Sequence, residues 1–83
     1  MTRIIHCLKA DVTDVSKLHE LNFFKPGDLV ITTWCGKKHS HFIYKATFER
    51  IKVLTLYPKK KHSIQNTIGA FSLPFTIYRV MEE

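Results

Sequence analysis

The stretch FFKPGDLVITTWCGKKHSH, residues 23–41, carries the local signals that decide the predicted fold. Residues 26–28, PGD, predict a turn, because proline presets one backbone angle and the following glycine accepts a positive φ. Residues 29–34, LVITTW, predict a strand, since β-branched and aromatic side chains favour a pleated backbone. The glycine at position 36 opens a predicted loop that contains residues 37–39. The stretch therefore predicts a turn, a strand and a basic loop, in that order.

The residues before this stretch predict a strand followed by a helix. Residues 3–9, RIIHCLK, alternate their apolar side chains with the period of two that a strand requires. Residues 11–22 change to a helical period, and Asp11 or Thr13 is the expected N-cap. The apolar face of this helix would consist of Val12, Val15, Leu18 and Leu21.

The residues after the stretch begin with a long strand-like run, residues 42–57. Its alternation changes phase, which predicts a bulge or tight bend near Glu49–Arg50 and a second one near Val53. Tyr57–Pro58 ends the run, and residues 59–63, KKKHS, predict a basic loop.

The last segment, residues 71–80, alternates again. Its side chains at positions 71, 73, 75 and 77 are expected to face inward: Phe71, Leu73, Phe75 and Ile77. Since Pro74 has no N–H to donate to a strand ladder, the segment is predicted to be an edge strand or a bulged one.

Together these elements predict a single domain, residues 1–83, of the α+β class. We expect a mainly antiparallel, strongly curled sheet or small β-barrel, with one short helix after the first strand, because bent strands let small sheets curl. A chain of 83 residues with 45% hydrophobic and 24% charged residues is typical of a small folded domain. No apolar run approaches the roughly 18 residues that cross a bilayer, so no membrane partner is predicted. Cys7 and Cys35 are interpreted as free thiols, which indicates a cytoplasmic location.

The turn and strand carry a resemblance to known families. A strand, a short helix and then Phe24-Lys25-Pro26-Gly27-Asp28-Leu29-Val30-Ile31 resembles the small β-barrels of the PUA/ASCH superfamily. SH3-like KOW or Tudor barrels share this Gly-Asp entry into a strand. The resemblance implies a barrel whose relatives often bind RNA or modified nucleobases. HELNFF, residues 19–24, stands where ASCH domains have G-x-K-x-x-E-x-R, so no ASCH-like hydrolase activity is carried over.

Positive charge is concentrated in the middle of the chain. The formal net charge is +6, and residues 37–61 contain eight Lys or Arg against one acid, a local charge of +7. The first 22 residues are balanced, with three bases and three acids. Charge gathered into one segment is typical of a nucleic-acid footprint rather than of general solubility.

Aromatic side chains lie among these bases, and nucleic-acid binding needs both cations for phosphates and flat rings for bases. If residues 30–34 pair with residues 42–46, the loop 35–41 projects its lysines from one end of a hairpin. The predicted function is therefore non-catalytic binding of RNA or another single-stranded nucleic acid. The predicted phosphate contacts are Lys37, Lys38, Lys45, Lys59, Lys60 and Lys61, with Trp34 or Tyr44 stacking on bases.

A first alternative is a stoichiometric inhibitor or adaptor that binds another protein, as phage-type accessory proteins do. Such proteins dock through an edge strand or an aromatic patch. Here the predicted edge strand 71–80, in which Tyr78 and Arg79 interrupt the alternation, would be the docking rim.

A second alternative is a metal-independent ribonuclease, which needs a general acid, a general base and cations near the phosphate. His41 or His62 would supply the acid–base chemistry, with Tyr44, Lys38 and Arg50 as further members of the site. The spacing Cys35-x3-His39-x-His41 also offers metal ligands, but it lacks the paired knuckles of zinc sites and has lysines beside it. No metal and no cofactor are predicted.

Overall fold

The computed structural model describes residues 5–47, 49–56 and 59–82. Positions 3 and 4 of the predicted first strand, Phe48, and the predicted strand end at Tyr57–Pro58 lie outside the described residues. The elements, in chain order, are β1 (Ile5–Val12), α1 (Val15–Glu20), β2 (Leu29–Trp34), β3 (Lys37–Ala46), β4 (Ile51–Leu56), β5 (Lys59–Ile64) and β6 (Phe75–Glu82).

The described strands form one antiparallel sheet in the order β1-β6-β2-β3-β4-β5. The strands from β2 to β5 follow each other as hairpins, and β6 returns to lie between β1 and β2. The predicted antiparallel, β-rich fold with one short helix after the first strand is confirmed at this level. β1 and β5 lie at opposite edges, so the described sheet is open and is not the closed barrel that one form of the prediction proposed. Strong curling of the sheet stays a prediction.

β6 is an interior strand, which corrects the prediction of an edge strand at residues 71–80. It pairs with β1 along its whole length and with β2 through three residues. Pro74 does not interrupt this ladder, because the strand begins one residue later at Phe75. Phe75 and Ile77 are buried as predicted, whereas Leu73 is exposed. Alternation does not apply to Leu73, since the residues before Phe75 are not part of the strand.

The hairpin of β2 and β3 is tighter than predicted. Cys35 and Gly36 alone form its turn, with φ angles of 51° and 76°, as two-residue hairpin turns require. Residues 37–39 therefore belong to β3 rather than to a loop, and the predicted pairing of residues 30–34 with 42–46 is wrong. A cysteine rarely adopts positive φ, which is why the sequence pattern does not indicate this turn.

Two irregularities account for the phase change in the strand-like run. The register of β3 against β4 shifts between Ile43 and Lys45, which makes Tyr44 a β-bulge. A tight turn then joins the two strands, with the Thr47 N–H donating to the Arg50 carbonyl over 2.8 Å. This turn confirms the first predicted bend, and the bulge is the irregularity that sequence reasoning placed wrongly.

The predictions at Val53 and at residues 59–63 are both wrong. β4 pairs with β5 in an unbroken register past Val53, and β5 occupies the segment predicted as a basic loop. Lysine is disfavoured in strands, so local propensity alone does not indicate β5. Pairing with the apolar β4 overrides that propensity.

One face of the sheet, the core face, packs against α1 and the loops. The Asp14 carboxylate caps α1 by accepting from the Lys17 N–H at 3.2 Å. The predicted caps, Asp11 and Thr13, are wrong because β1 continues past Asp11. α1 contributes Leu18 to the core. The buried core residues are Val12, Leu18, Phe24, Val30, Ile43, Ile51, Val53, Phe71, Phe75 and Ile77.

A buried ion pair connects β6 with the turn before β2. The Asp28 carboxylate accepts from Arg79 Nε at 2.8 Å and from Arg79 Nη2 at 2.9 Å. The same guanidinium donates to the carbonyls of Leu21 and Phe23, at 3.0 and 2.9 Å. The Lys25 N–H donates to Asp28 at 2.9 Å. Arg79 and Asp28 thereby fix the chain that runs from α1 to β2.

Candidate nucleic-acid interface

The second face of the sheet, here called the outer face, consists of the strand residues that alternate with the buried ones. Residues directly opposite each other in an antiparallel sheet share a face, so the pairing register traces rows across it. One row crosses all six described strands: Lys9, Tyr78, Leu29, Phe42, Leu54 and Lys61. Its centre is aromatic and aliphatic, and a lysine stands at each end.

Two rings of the outer face lie beside each other. Phe42, Tyr44, Leu54 and Lys61 line a concavity of about 220 Å³, here called the aromatic pocket. Phe42 is 38% exposed and Tyr44 is 42% exposed. Large aromatic side chains usually bury most of their surface. Exposed rings in a concavity with a cation at its wall are suited to a flat, anionic ligand.

A second concavity, of about 240 Å³, is lined by Lys45, Thr47, Arg50 and Lys52 and is here called the basic pocket. The bulge at Tyr44 places Lys45 directly opposite Lys52 on the outer face. Like charges in this arrangement repel each other and destabilise a sheet. An anion between them would remove the repulsion, so the three cations of the pocket favour phosphate. The Thr47 hydroxyl is already engaged, because it donates to the Arg50 carbonyl at 3.0 Å and accepts from the Arg50 N–H at 3.1 Å.

The two pockets are neighbours along β3 and β4. Lys45 follows Tyr44 directly in the chain, and Lys52 lies two residues before Leu54. Lys52 and Leu54 belong to the outer face, since they alternate with Ile51 and Val53, which are buried in the core. Lys45 is on the same face because it lies opposite Lys52, and Tyr44 lines a pocket with Leu54.

A third concavity, of about 440 Å³, extends the outer face toward β1. Its lining includes Lys9, Lys38 and Tyr78. One acid also lines it, Asp11, whose carboxylate accepts from the Thr76 hydroxyl at 2.8 Å. The outer face therefore offers concave surface on both sides of its apolar centre.

The structure brings part of the predicted site together. The predicted contacts on the outer face are Lys38, Lys45, Lys61 and Tyr44. Lys59 pairs in register with Leu56, and Lys60 pairs with Thr55; the side chains of both lysines lie outside what the structure describes.

The structure separates Trp34 and Lys37 from the others. They lie opposite each other at the far end of the hairpin, and their register positions belong to the face of Val30. Trp34 is 66% exposed there, beyond the buried part of the core face.

Five members of the two pockets were not among the predicted nucleic-acid contacts, and Arg50 had been named only for the ribonuclease alternative: Phe42, Thr47, Arg50, Lys52 and Leu54. Arg50 and Lys52 belong to the basic segment, but their place beside Lys45 depends on the bulge and on the turn after it. The phase change in the alternation was the available signal, and it indicates an irregularity without giving its position.

His41 lies on the core face and is held on both sides. Its ring nitrogens bond to the hydroxyls of Thr32, at 3.1 Å, and Thr55, at 3.0 Å. Its ring packs against Phe71 with 4.9 Å between centroids. Burial lowers the pKa of His41 below its ordinary value of 6.5, and the nearby His62 and His39 lower it further.

The residues of the predicted ribonuclease site are not gathered. His41 is on the core face, whereas Tyr44 and Lys38 are on the outer face. His62 pairs with Val53 on the core side of β5, and its Nδ1 is buried without a hydrogen-bond partner in the described structure. His41 and His62 therefore lie on the core face, on the other side of the sheet from Tyr44 and Lys38.

Cys7 and Cys35 are free thiols, as predicted. Within the described ranges, no three or more His, Cys, Asp or Glu side chains are grouped so that they could hold a metal ion. The same part of the chain contains no helix that is long and apolar enough to span a membrane.

Comparisons of the chain with protein-family models, with curated proteins and with solved structures found no match. The resemblance of residues 24–31 to PUA/ASCH and SH3-like barrels therefore stays a prediction.

Proposed function

We propose that the outer face binds single-stranded nucleic acid, with RNA as the favoured ligand, and that it does so without catalysis. The observation that carries the proposal is the position of the aromatic pocket next to the basic pocket on β3 and β4. A nucleotide presents the same two chemistries side by side, because a flat base is joined through its sugar to an anionic phosphate.

The aromatic pocket supports the base contact. Stacking of a base on an aromatic side chain contributes about 1–3 kcal/mol and tolerates any base, because every base has a π face. Phe42 and Tyr44 offer exposed rings for this contact, and Leu54 completes an apolar wall. Lys61, at the same pocket, is placed for the phosphate of the nucleotide bound there.

The basic pocket supports the backbone contact. Lys45, Lys52 and Arg50 bring three positive charges to one concavity. Binding of a phosphate there releases counterions from the nucleic acid and relieves the repulsion between Lys45 and Lys52. Affinity should therefore depend strongly on salt.

The architecture favours single strands over duplexes. A duplex major groove is usually read by an exposed helix, whereas the one helix of the described chain, α1, has six residues and packs Leu18 into the core. A base must be unpaired before its face can stack on a side chain. RNA is favoured because the resemblance of residues 24–31 implies relatives that often bind RNA. We place the activity in the cytoplasm, where the exposed thiols of Cys7 and Cys35 would stay reduced.

The test measures the affinity for a labelled single-stranded RNA by fluorescence anisotropy at several salt concentrations. Replacing Lys45 and Lys52 by alanine should reduce the slope of log affinity against log salt by about 1.4, since each phosphate contact to a single strand contributes about 0.7. The control replaces Lys17 and Lys25, which removes the same charge from the segment that covers the core face. Equal slopes in the two double variants would contradict the proposal.

The base contact is tested separately on the same RNA. Tyr44→Ala should weaken binding about 5- to 160-fold, from the loss of one stacking contact. Tyr44→Phe keeps the ring and should bind as the unchanged chain does. If both variants bind equally well, the aromatic pocket does not hold a base.

A further inference from the structure

The two edge strands of the described sheet differ in how readily they could pair with a further strand. β5, at one edge, contains three consecutive lysines, Lys59–Lys61. If β5 paired with itself around Lys60, every one of these positions would face another lysine. Lysines on an edge strand are a common protection against such pairing.

β1, at the other edge, has less of this protection. It is eight residues long, contains no proline or glycine and pairs with β6 in an unbroken register. It carries one base, Lys9, and one acid, Asp11, two residues apart and therefore on the same face. An edge of this kind presents unpaired N–H and carbonyl groups to any compatible strand.

We propose that two copies of this chain pair through β1, antiparallel and around a two-fold axis, to form one sheet of twelve strands. A two-fold axis that makes the strands antiparallel within one continuous sheet stands perpendicular to that sheet. The outer faces of both copies therefore lie on the same side. In this arrangement outer-face residues stand opposite outer-face residues, which restricts the axis to a residue of β1 rather than to a point between two residues.

Charge selects the register. With the axis at Ala10, Lys9 of each copy stands opposite Asp11 of the other, which gives two opposite-charge pairs. With the axis at Lys9, two lysines would face each other directly. Ala10 is small, so the strands can approach closely at the axis.

In this register residues 8–12 of the two β1 strands pair, and residues 5–7 of each copy lie beyond the end of the partner's strand. The ribbon of β1 and β6 extends beyond β2, and Ile5 is 62% and Val80 67% exposed at its end. With the axis at Ala10, Ile5 of one copy runs past the end of the partner's β1, where the exposed Val15 begins α1.

The pairing has a consequence that does not depend on the ligand. The two outer faces become one surface with two-fold symmetry, and each basic pocket lies on the far side of its own sheet half from the axis. An extended ligand that spans both copies would contact the pockets of the second copy in the reverse order.

The test is sedimentation velocity of the full chain over a range of concentrations, under reducing conditions and in a Cys7→Ser background. These conditions exclude a disulfide as the source of a dimer. We expect a monomer–dimer equilibrium for this protein. Lys9→Glu and Asp11→Lys should each raise the dimer dissociation constant about ten-fold or more, because each change turns two attractive pairs into repulsive ones. The double variant Lys9→Glu/Asp11→Lys should restore the dimer.

Three outcomes would overturn the proposal. One is a monomer at every concentration tested. Another is a species larger than a dimer, which indicates head-to-tail pairing of β1 with β5. The third is a dimer that neither single reversal weakens. Thermal unfolding of each variant shows that it is folded, and the double variant separates a charge effect from the loss of the Thr76 bond to Asp11.

Discussion

The two faces of the sheet give apolar and charged side chains different surroundings. On the core face, Ile43 and Val53 are fully buried, and the one arginine of β6, Arg79, is bound by Asp28. On the outer face, Phe42 is exposed next to Ile43 in the chain, and Lys45 and Lys52 stand opposite each other. The difference teaches that stability resides on one face, while the other face keeps rings and like charges at a cost in stability.

The largest expected effect comes from removing the buried ion pair on the core face. Asp28→Ala would leave the Arg79 guanidinium largely buried without its carboxylate, so we expect the free energy of unfolding to fall by about 3–5 kcal/mol. Urea denaturation measures it. The control is Glu20→Ala, which removes the exposed Lys17–Glu20 pair and should cost less than about 1 kcal/mol. Similar losses in both variants would show that burial does not distinguish the two ion pairs.

The next prediction compares two residues that are adjacent in the chain and lie on opposite faces of the sheet. Ile43→Ala creates a cavity in the core and should lower the free energy of unfolding by about 2–5 kcal/mol. Phe42→Ala should lower it by less than about 1 kcal/mol, because the ring is already partly in water. RNA affinity should show the opposite order. Measured on folded protein, Phe42→Ala should weaken RNA binding more than Ile43→Ala. If Phe42→Ala destabilises as much as Ile43→Ala, the outer face is part of the core.

The elements that local chemistry determines were predictable. β2 has the predicted bounds because its β-branched residues follow a clear turn signal, and the inward positions of Phe75 and Ile77 follow from alternation. The place of β6 between β1 and β2 was not predictable, since it depends on where the chain returns after residues 65–74. No property of β6 itself distinguishes an edge from an interior position when a proline stands directly before it.

The candidate site was predictable in composition but not in arrangement. The basic segment and its rings indicated residues 34–61, the part of the chain that contains both pockets. Which members share a face depends on the two-residue turn at Cys35 and on the bulge at Tyr44. The turn moves Lys37 and Trp34 away from the outer face, and the bulge adds Lys45 to it. Both involve only one or two residues, which average propensities do not resolve.

A smaller effect concerns the pH dependence of the core face. The pKa of His41 is lowered in the folded protein, mainly by burial, so the folded state favours the neutral ring. The stabilisation is complete above pH 6.5 and decreases as the pH falls from 6.5 toward the lower pKa of the folded state, since the unfolded chain then binds the proton more readily. One proton gives at most about 1.4 kcal/mol per pH unit, and we expect a fraction of that for a partly exposed ring.

Urea denaturation between pH 8 and pH 5 measures this dependence. His41→Gln removes the titrating group, and we expect its free energy of unfolding to fall less steeply below pH 6.5 than that of the unchanged chain. Parallel curves for the two proteins would mean that His41 does not contribute to the acid sensitivity.

The smallest expected effect is at Trp34, which the sequence indicates as a stacking residue and the structure places at the end of the hairpin. Trp34→Ala should change the free energy of unfolding by no more than about 0.5 kcal/mol, because the side chain is mostly exposed. Its RNA affinity should equal that of the unchanged chain, in contrast to Tyr44→Ala. Trp34 is the one tryptophan of the chain, so its fluorescence also reports on the bound ligand. Strong quenching on RNA binding would show that the ligand reaches the hairpin end, and the interface would then extend beyond the outer face.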